Sequence, residues 1–256
     1  MAGKLKEGIG KVLYGSLFVL LLPMGLIVWA RATEDVVGLP AFEVDWAGTA
    51  LAALGLLLIL ASFVSLWRDG GGLPMNAYPP PRFVDRCVYG YLAHPIYVGF
   101  LLLCGGIALL TGSASGLWLV TPTVALAATA LVVGYEGPSL RARFGEQYRP
   151  PRIRLPDDSS EIPRVWDRIS VYILVFLPWT LAYEAVQFMG VPPDGVVSHF
   201  PFEASWPVVE WTTAIYTSIY LLVLVTPFVA SARRTLRRFS ISALFATVVV
   251  TVIYLT

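Results

Sequence analysis

Residues 47–67 read AGTALAALGLLLILASFVSLW, without one charged side chain. A helix rises about 1.5 Å per residue, so this run covers the ~30 Å hydrocarbon core of a bilayer. A barrel strand would instead show segments of ~10 residues alternating between apolar and polar. The central run at 51–60, LAALGLLLIL, does not alternate. The stretch therefore reads as a membrane-spanning helix, and the rest of the chain repeats it. Windows 12–30, 88–110, 116–135, 169–189, 207–230 and 239–256 are of the same kind. The fold class that follows is all-α, a polytopic transmembrane helical protein with about seven spans.

Composition agrees. Apolar residues make up 57% and charged residues 14%, against about 45–50% and ~25% in soluble domains. That excludes a disordered chain, a soluble α/β enzyme and a nucleic-acid binder. The formal net charge of +1 gives no global field toward an acidic partner. Cys87 sits in a polar loop and Cys104 in an apolar run, so no disulfide framework is expected. These cysteines and the two histidines, His94 and His199, lack zinc-site spacing, and no metal is expected. Gly70-Gly71-Gly72 follows a membrane helix rather than a strand. It reads as a flexible loop and not as a phosphate-cradling turn.

Lysine and arginine set the orientation. Counted from the N-terminus, the inter-span segments hold 3, 1, 3, 0, 7, 0 and 4 of them. The alternation places seventeen of eighteen on one side. That side is the cytoplasm of a prokaryotic-type inner membrane, with the N-terminus inside. The first span, with Lys4, Lys6 and Lys11 ahead of it and Ala30-Arg31-Ala32 behind, also has the order of a signal peptide. Its apolar run is longer than a usual h-region, and either reading gives the same orientation. Trp46, Trp67, Trp118, Trp166, Trp206 and Trp211 lie near span ends, where amphipathic rings favour the interface. Trp179, beside Pro178, is expected to pack between helices.

Residues 149–168, RPPRIRLPDDSSEIPRVWDR, are rich in proline and charge, which stops helices and keeps a segment wet. A boundary is expected here, between a four-span unit, 1–155, and a three-span unit, 162–256. No internal repeat relates the two.

Two segments on the cytoplasmic side carry candidate chemistry. The first is Tyr89-Gly90-Tyr91-Leu92-Ala93-His94-Pro95-Ile96-Tyr97-Val98-Gly99. Pro95 cannot donate to the carbonyl of Tyr91, so the helix should start or kink there. The second is Glu136-Gly137-Pro138-Ser139-Leu140-Arg141-Ala142-Arg143-Phe144-Gly145-Glu146-Gln147-Tyr148. One helical hairpin separates the two, so they can converge. Read alone, His94 could simply cap a helix, Glu136 could be a solvated interface residue, and the arginines set topology.

Together the segments resemble the membrane methyltransferases that include isoprenylcysteine carboxyl methyltransferase and the bacterial phospholipid methyltransferases. The family pattern is G-x-Y-R-x-x-R-H-P-x-Y-x-G followed by E-E-x-x-L-x-x-x-F-G-x-x-Y. The resemblance covers about residues 50–155. Tyr89, His94, Pro95, Tyr97, Gly99, Glu136, Leu140, Phe144, Gly145 and Tyr148 match. Cys87 stands for the first glycine, Gly90 and Ala93 for two arginines, and Gly137 for the second glutamate.

The resemblance implies S-adenosylmethionine as cofactor, bound facing the cytoplasm, and a lipid or prenylated acceptor entering from the bilayer. Tyr89, His94, Pro95, Tyr97 and Gly99 would bind the cofactor. Glu136 would be catalytic, facing the cationic cofactor or the acceptor. Arg141, Arg143, Arg149 and Arg152 would grip the acceptor's head group. Loss of the family residues at positions 90, 93 and 137 leaves a non-catalytic membrane scaffold as an alternative.

Residues 162–256 resemble the membrane start of the phosphatidic-acid-phosphatase type 2 superfamily. The residues are Asp167-Arg168, Leu177-Pro178-Trp179, Tyr183-Glu184, Pro201-Phe202-Glu203, Trp206-Pro207, Trp211, Ile215-Tyr216, Tyr220 and the stretch 233–239. The superfamily's catalytic signatures are absent here and would lie beyond Thr256. That resemblance implies a lipid phosphatase or phosphotransferase fusion whose catalytic half is missing. Glu184 and Glu210 are expected in the outer parts of spans five and six, where a carboxylate is costly. Interface exposure or pairing with a tyrosine would account for both.

Overall fold

The computed structural model describes residues 2–74, 78–190, 202, 205 and 209–255. Helices account for all its regular structure, with no strand among the described residues. The chain forms two compact units, Met1–Pro151 and Arg152–Thr256. The first holds α1 (Ile9–Ala32), α2 (Asp45–Gly70), the short α3 (Val88–Tyr91), α4 (Pro95–Leu110) and α5 (Gly116–Gln147). The second holds α6 (Val165–Phe188), α7 (Thr212–Val229) and α8 (Arg233–Leu255). Six of these helices are long and apolar enough to cross a membrane, and α4 is a shorter apolar helix of 16 residues.

The third span breaks at Pro95, as its sequence leads one to expect. Residues 88–110 do not form one helix: Leu92–His94 interrupt it, and α4 begins at Pro95. The proline ring pushes His94 out of helical geometry, to φ −133° and ψ 64°. Pro95 then occupies the first turn, where its missing N–H costs nothing.

Four prolines inside the other spans leave a different mark. Pro23, Pro122, Pro138 and Pro178 each follow a wide π turn, over Leu17–Leu21, Gly116–Val120, Val132–Glu136 and Tyr172–Phe176. In each case the residue before the proline donates its N–H five residues back, as Gly137 does to the Val132 carbonyl. A proline ring clashes with the carbonyl four residues earlier. One widened turn relieves that clash and lets the helix continue. Such bulges occur often at functional sites, and the one at Val132–Glu136 ends on the candidate catalytic carboxylate.

In the first unit α2 and α4 run antiparallel in close contact. Gly48, Gly55 and Ser62 on α2 recur every seven residues, as do Gly99 and Gly106 on α4. A Cβ at Gly55 would lie 2.5 Å from the Gly99 carbonyl oxygen, and one at Gly106 would lie 2.5 Å from the Ala52 nitrogen. The backbones touch, which small residues permit in membrane helix pairs. At the α2 N-terminal end of this seam, Val44 N donates to the Leu109 carbonyl at 3.1 Å. Beside it, Glu34 accepts from Ser113 Oγ at 2.6 Å and from Ala114 N at 2.7 Å. The other end of the seam carries Ser62 and His94.

In the second unit Val171, Val175, Phe176 and Leu236 form the core. Trp179 packs as the sequence suggests, between Tyr183 and, on α7, Tyr220. The proline-rich stretch after residue 152 is not simply wet. Arg233 N donates to the Glu161 carbonyl, Arg234 N to the Ser159 carbonyl, and the Arg237 guanidinium to the Pro156 carbonyl. Arg233 itself is buried, donating to Asp167 at 2.9 Å and to Glu161 at 2.7 Å. Removing one partner of such a buried pair costs about 3–5 kcal/mol. Glu210 lies in the turn ahead of α7 rather than within a span, and Glu184 is exposed on α6. His199, Glu203, Trp206 and Pro207 lie outside the described residues.

Candidate active site

The break at Pro95 and the bulge at Pro138 bring the two motifs together. Tyr97, in the first turn of α4, donates its hydroxyl proton to Glu136 Oε2 at 2.8 Å. His94 Nδ1 lies 3.4 Å from Glu136 Oε1. The His94 and Tyr97 rings are 5.9 Å apart, so they flank the carboxylate side by side. His94 does not cap α4 with its side chain. Its ring is turned to Glu136 instead. The Glu136 side chain is 22% exposed and that of His94 15%, so both are largely withdrawn from water yet reachable.

Tyr89, on α3, completes the cluster. Its hydroxyl hydrogen-bonds Ser62 and lies within electrostatic reach of Glu136 and Tyr97. Ser62 is fully buried and already donates to the Leu58 carbonyl at 2.6 Å. Tyr89 is therefore the donor to Ser62. The phenol thus serves the cluster as a hydrogen-bond donor.

The remaining candidates divide. Pro95 is buried, and Gly99 is spent on the helix seam: a Cβ there would lie 2.7 Å from the Gly55 carbonyl oxygen. Arg141 lies over the Tyr148 ring. Arg143 donates to the Pro80 carbonyl at 2.9 Å and lies over the Phe144 ring. Arg149 lines a separate cleft with Phe83, Asp85, Arg86 and Gln147. Arg152 belongs to the second unit, over the Trp166 ring. The four arginines thus do not form one group. Phe144 and Tyr148 of the second motif pack on Phe83, at 5.3 Å and 5.6 Å between ring centres. Ser62 and Arg86 escape sequence reasoning. The seven-residue repeat of small residues could have singled out Ser62, while nothing in the sequence separates Arg86 from other loop arginines.

Glu136 has no arginine or lysine partner among the described residues, and no group of metal-ligating side chains occurs among them. Its charge is held by a phenol and an imidazole, and no fixed cation neutralises it. A half-buried, uncompensated carboxylate suits a cationic ligand.

Residues 44–147 match the family model of phospholipid methyltransferases. This is a family of membrane methyltransferases. The matched segment contains α2 to α5 and all of the Tyr89, His94, Tyr97 and Glu136 cluster. It stops short of the second unit, and nothing supports the phosphatase-type resemblance of residues 162–256. No curated protein and no solved structure gives a significant match.

Proposed function

We propose that the first unit transfers a methyl group from S-adenosylmethionine to a membrane-embedded lipid or prenylated acceptor. The observation that carries this reading is the family match over the residues that gather around Glu136. The charge ladder supports a site that faces the cytoplasm of a prokaryotic-type inner membrane.

The residues present fit the donor. Glu136 offers a carboxylate without a fixed counter-ion to its sulfonium, while Tyr89, His94 and Tyr97 offer polar contacts to its remaining groups. Bound there, the donor supplies an electrophilic methyl on a cationic sulfur. Tyr97 fixes one Glu136 oxygen and His94 faces the other, so the carboxylate is oriented before any ligand arrives. That lowers the cost of reaching a reactive geometry. A neutral His94 that gives its Nδ1 proton to Glu136 keeps a lone pair on Nε2. An amine acceptor needs such a base, and a carboxylate acceptor does not. Pro95 and Gly99 serve the site indirectly, by breaking the helix before Tyr97 and by seating α4 on α2.

Calorimetric titration of the detergent-purified protein with S-adenosylmethionine and S-adenosylhomocysteine tests the reading. Micromolar binding is expected in the wild type, weakened at least about tenfold by His94→Ala and by Glu136→Ala. A well-folded wild type that binds neither compound would remove the methyltransferase function.

A further inference from the structure

Of the arginines expected at a head group, Arg149 lines a cleft. That cleft, about 440 Å³, is walled by Phe83, Asp85, Arg86, Gln147 and Arg149. One wall is the loop ahead of α3 and the other is the end of α5 with the residues after it, and the packing of Phe83 against Phe144 and Tyr148 holds them together. Arg86 and Arg149 differ from their neighbours in one respect. Arg143 is spent on a carbonyl and a ring, and Arg141 and Arg152 on rings. Arg86 and Arg149 form no ion pair or side-chain hydrogen bond among the described residues, not even with Asp85 in the same cleft.

Two unpaired guanidinium groups on one concavity repel each other, and an anion between them removes that repulsion. Guanidinium forks match phosphate oxygens in geometry, and the Gln147 amide adds a donor. The Asp85 carboxylate shares the wall, so the cleft carries a net single positive charge. A singly charged phosphodiester neutralises that charge. We propose that Arg86 and Arg149 form a phosphodiester-binding site. Its ligand is either a phospholipid head group or a soluble phosphodiester. The inference rests on the proposed function only for identifying a lipid held there as the methyl acceptor.

The test uses the full-length protein in a maltoside detergent, which carries no phosphate. It is titrated with dihexanoylphosphatidylglycerol and with glycerophosphoglycerol, the same head group without acyl chains. Binding is expected to weaken about tenfold in Arg86→Gln and in Arg149→Gln. It should hold within about twofold in Arg238→Gln, another exposed arginine outside the cleft. Tighter binding of the acylated probe supports the site with a lipid as its ligand, and equal binding supports it with a soluble phosphodiester. A wild type that binds neither probe, or equal weakening by all three substitutions, overturns the proposal. S-adenosylmethionine titrated into the same samples separates the two readings. Donor binding without phosphodiester binding sinks only the cleft, and the reverse sinks only the methyltransferase.

Discussion

Cys87 adopts φ 50° and ψ −131°, and Gly145 adopts φ 47° and ψ −119°. The two turns share one backbone conformation, one ahead of α3 and the other at the end of the α-helical part of α5. Both positions carry glycine in the family pattern that this chain resembles, and only the second keeps it. A side chain at positive φ of this kind costs of order 1–3 kcal/mol, so Cys87 holds strain beside the site. Cys87→Gly should raise stability by about 1 kcal/mol, and Gly145→Ala should lower it by a similar amount. Thermal unfolding in detergent reads both, with opposite shifts in Tm. Gly90 lies on the short helix that follows Cys87. A Cβ there would lie 2.8 Å from the Asp85 carbonyl oxygen. The arginine of the family pattern therefore has no room at position 90, and restoring it would push α3 away from the loop at Asp85.

At the scale of elements, the α2–α4 pair places the site. Ser62, one seven-residue step beyond Gly55, anchors Tyr89. Tyr97 stands two residues ahead of Gly99, which touches α2. The seam therefore sets how far apart these two tyrosines stand around Glu136. Gly55→Ala and Gly106→Ala drive a methyl group into backbone 2.5 Å away. Each should cost about 1–3 kcal/mol, the usual price of overpacking, and should weaken donor binding as the helices part. Gly25→Ala on α1 is the matched control, because nothing lies within 4 Å of a Cβ there. Comparable loss in the control would show that the effect belongs to helix glycines in general rather than to the seam.

At the scale of the molecule, the chain divides into two units, and the whole carboxylate cluster lies in the first. The phosphodiester cleft is lined by first-unit residues too. A chain ending at Pro151 should keep donor binding within about twofold and keep its own cooperative melt, as expected of a unit with its own packed interior. Titration and scanning calorimetry of that shorter chain check both. Loss of donor binding in a folded first unit would mean that the second unit contributes to the site. The second unit is held by its own apolar core and by the Arg233 cluster, so Arg233→Ala should lower its melting transition and leave that of the first unit in place.

The sequence by itself determined the class of protein and the chemistry on offer. Apolar runs of span length admit only helices in lipid, because backbone groups there must bond internally. The break at His94-Pro95 was legible for a similarly local reason, since a proline ring acts on its immediate neighbours. His94, Tyr97 and Glu136 were legible as candidates through two motifs one hairpin apart. Only the tertiary structure decided how they are placed. It turned the His94 ring from a cap to Glu136, buried Gly99 in a helix seam and distributed the four arginines among rings, a carbonyl and a cleft. It also set Ser62 against Tyr89 and Arg86 beside Arg149. Such roles depend on what lies across a helix contact or a loop, and that distance in space is not encoded in spacing along the chain. The third span shows both limits at once: its apolar content marked a crossing, but the break over Leu92–His94 ahead of Pro95 divided it into two helices.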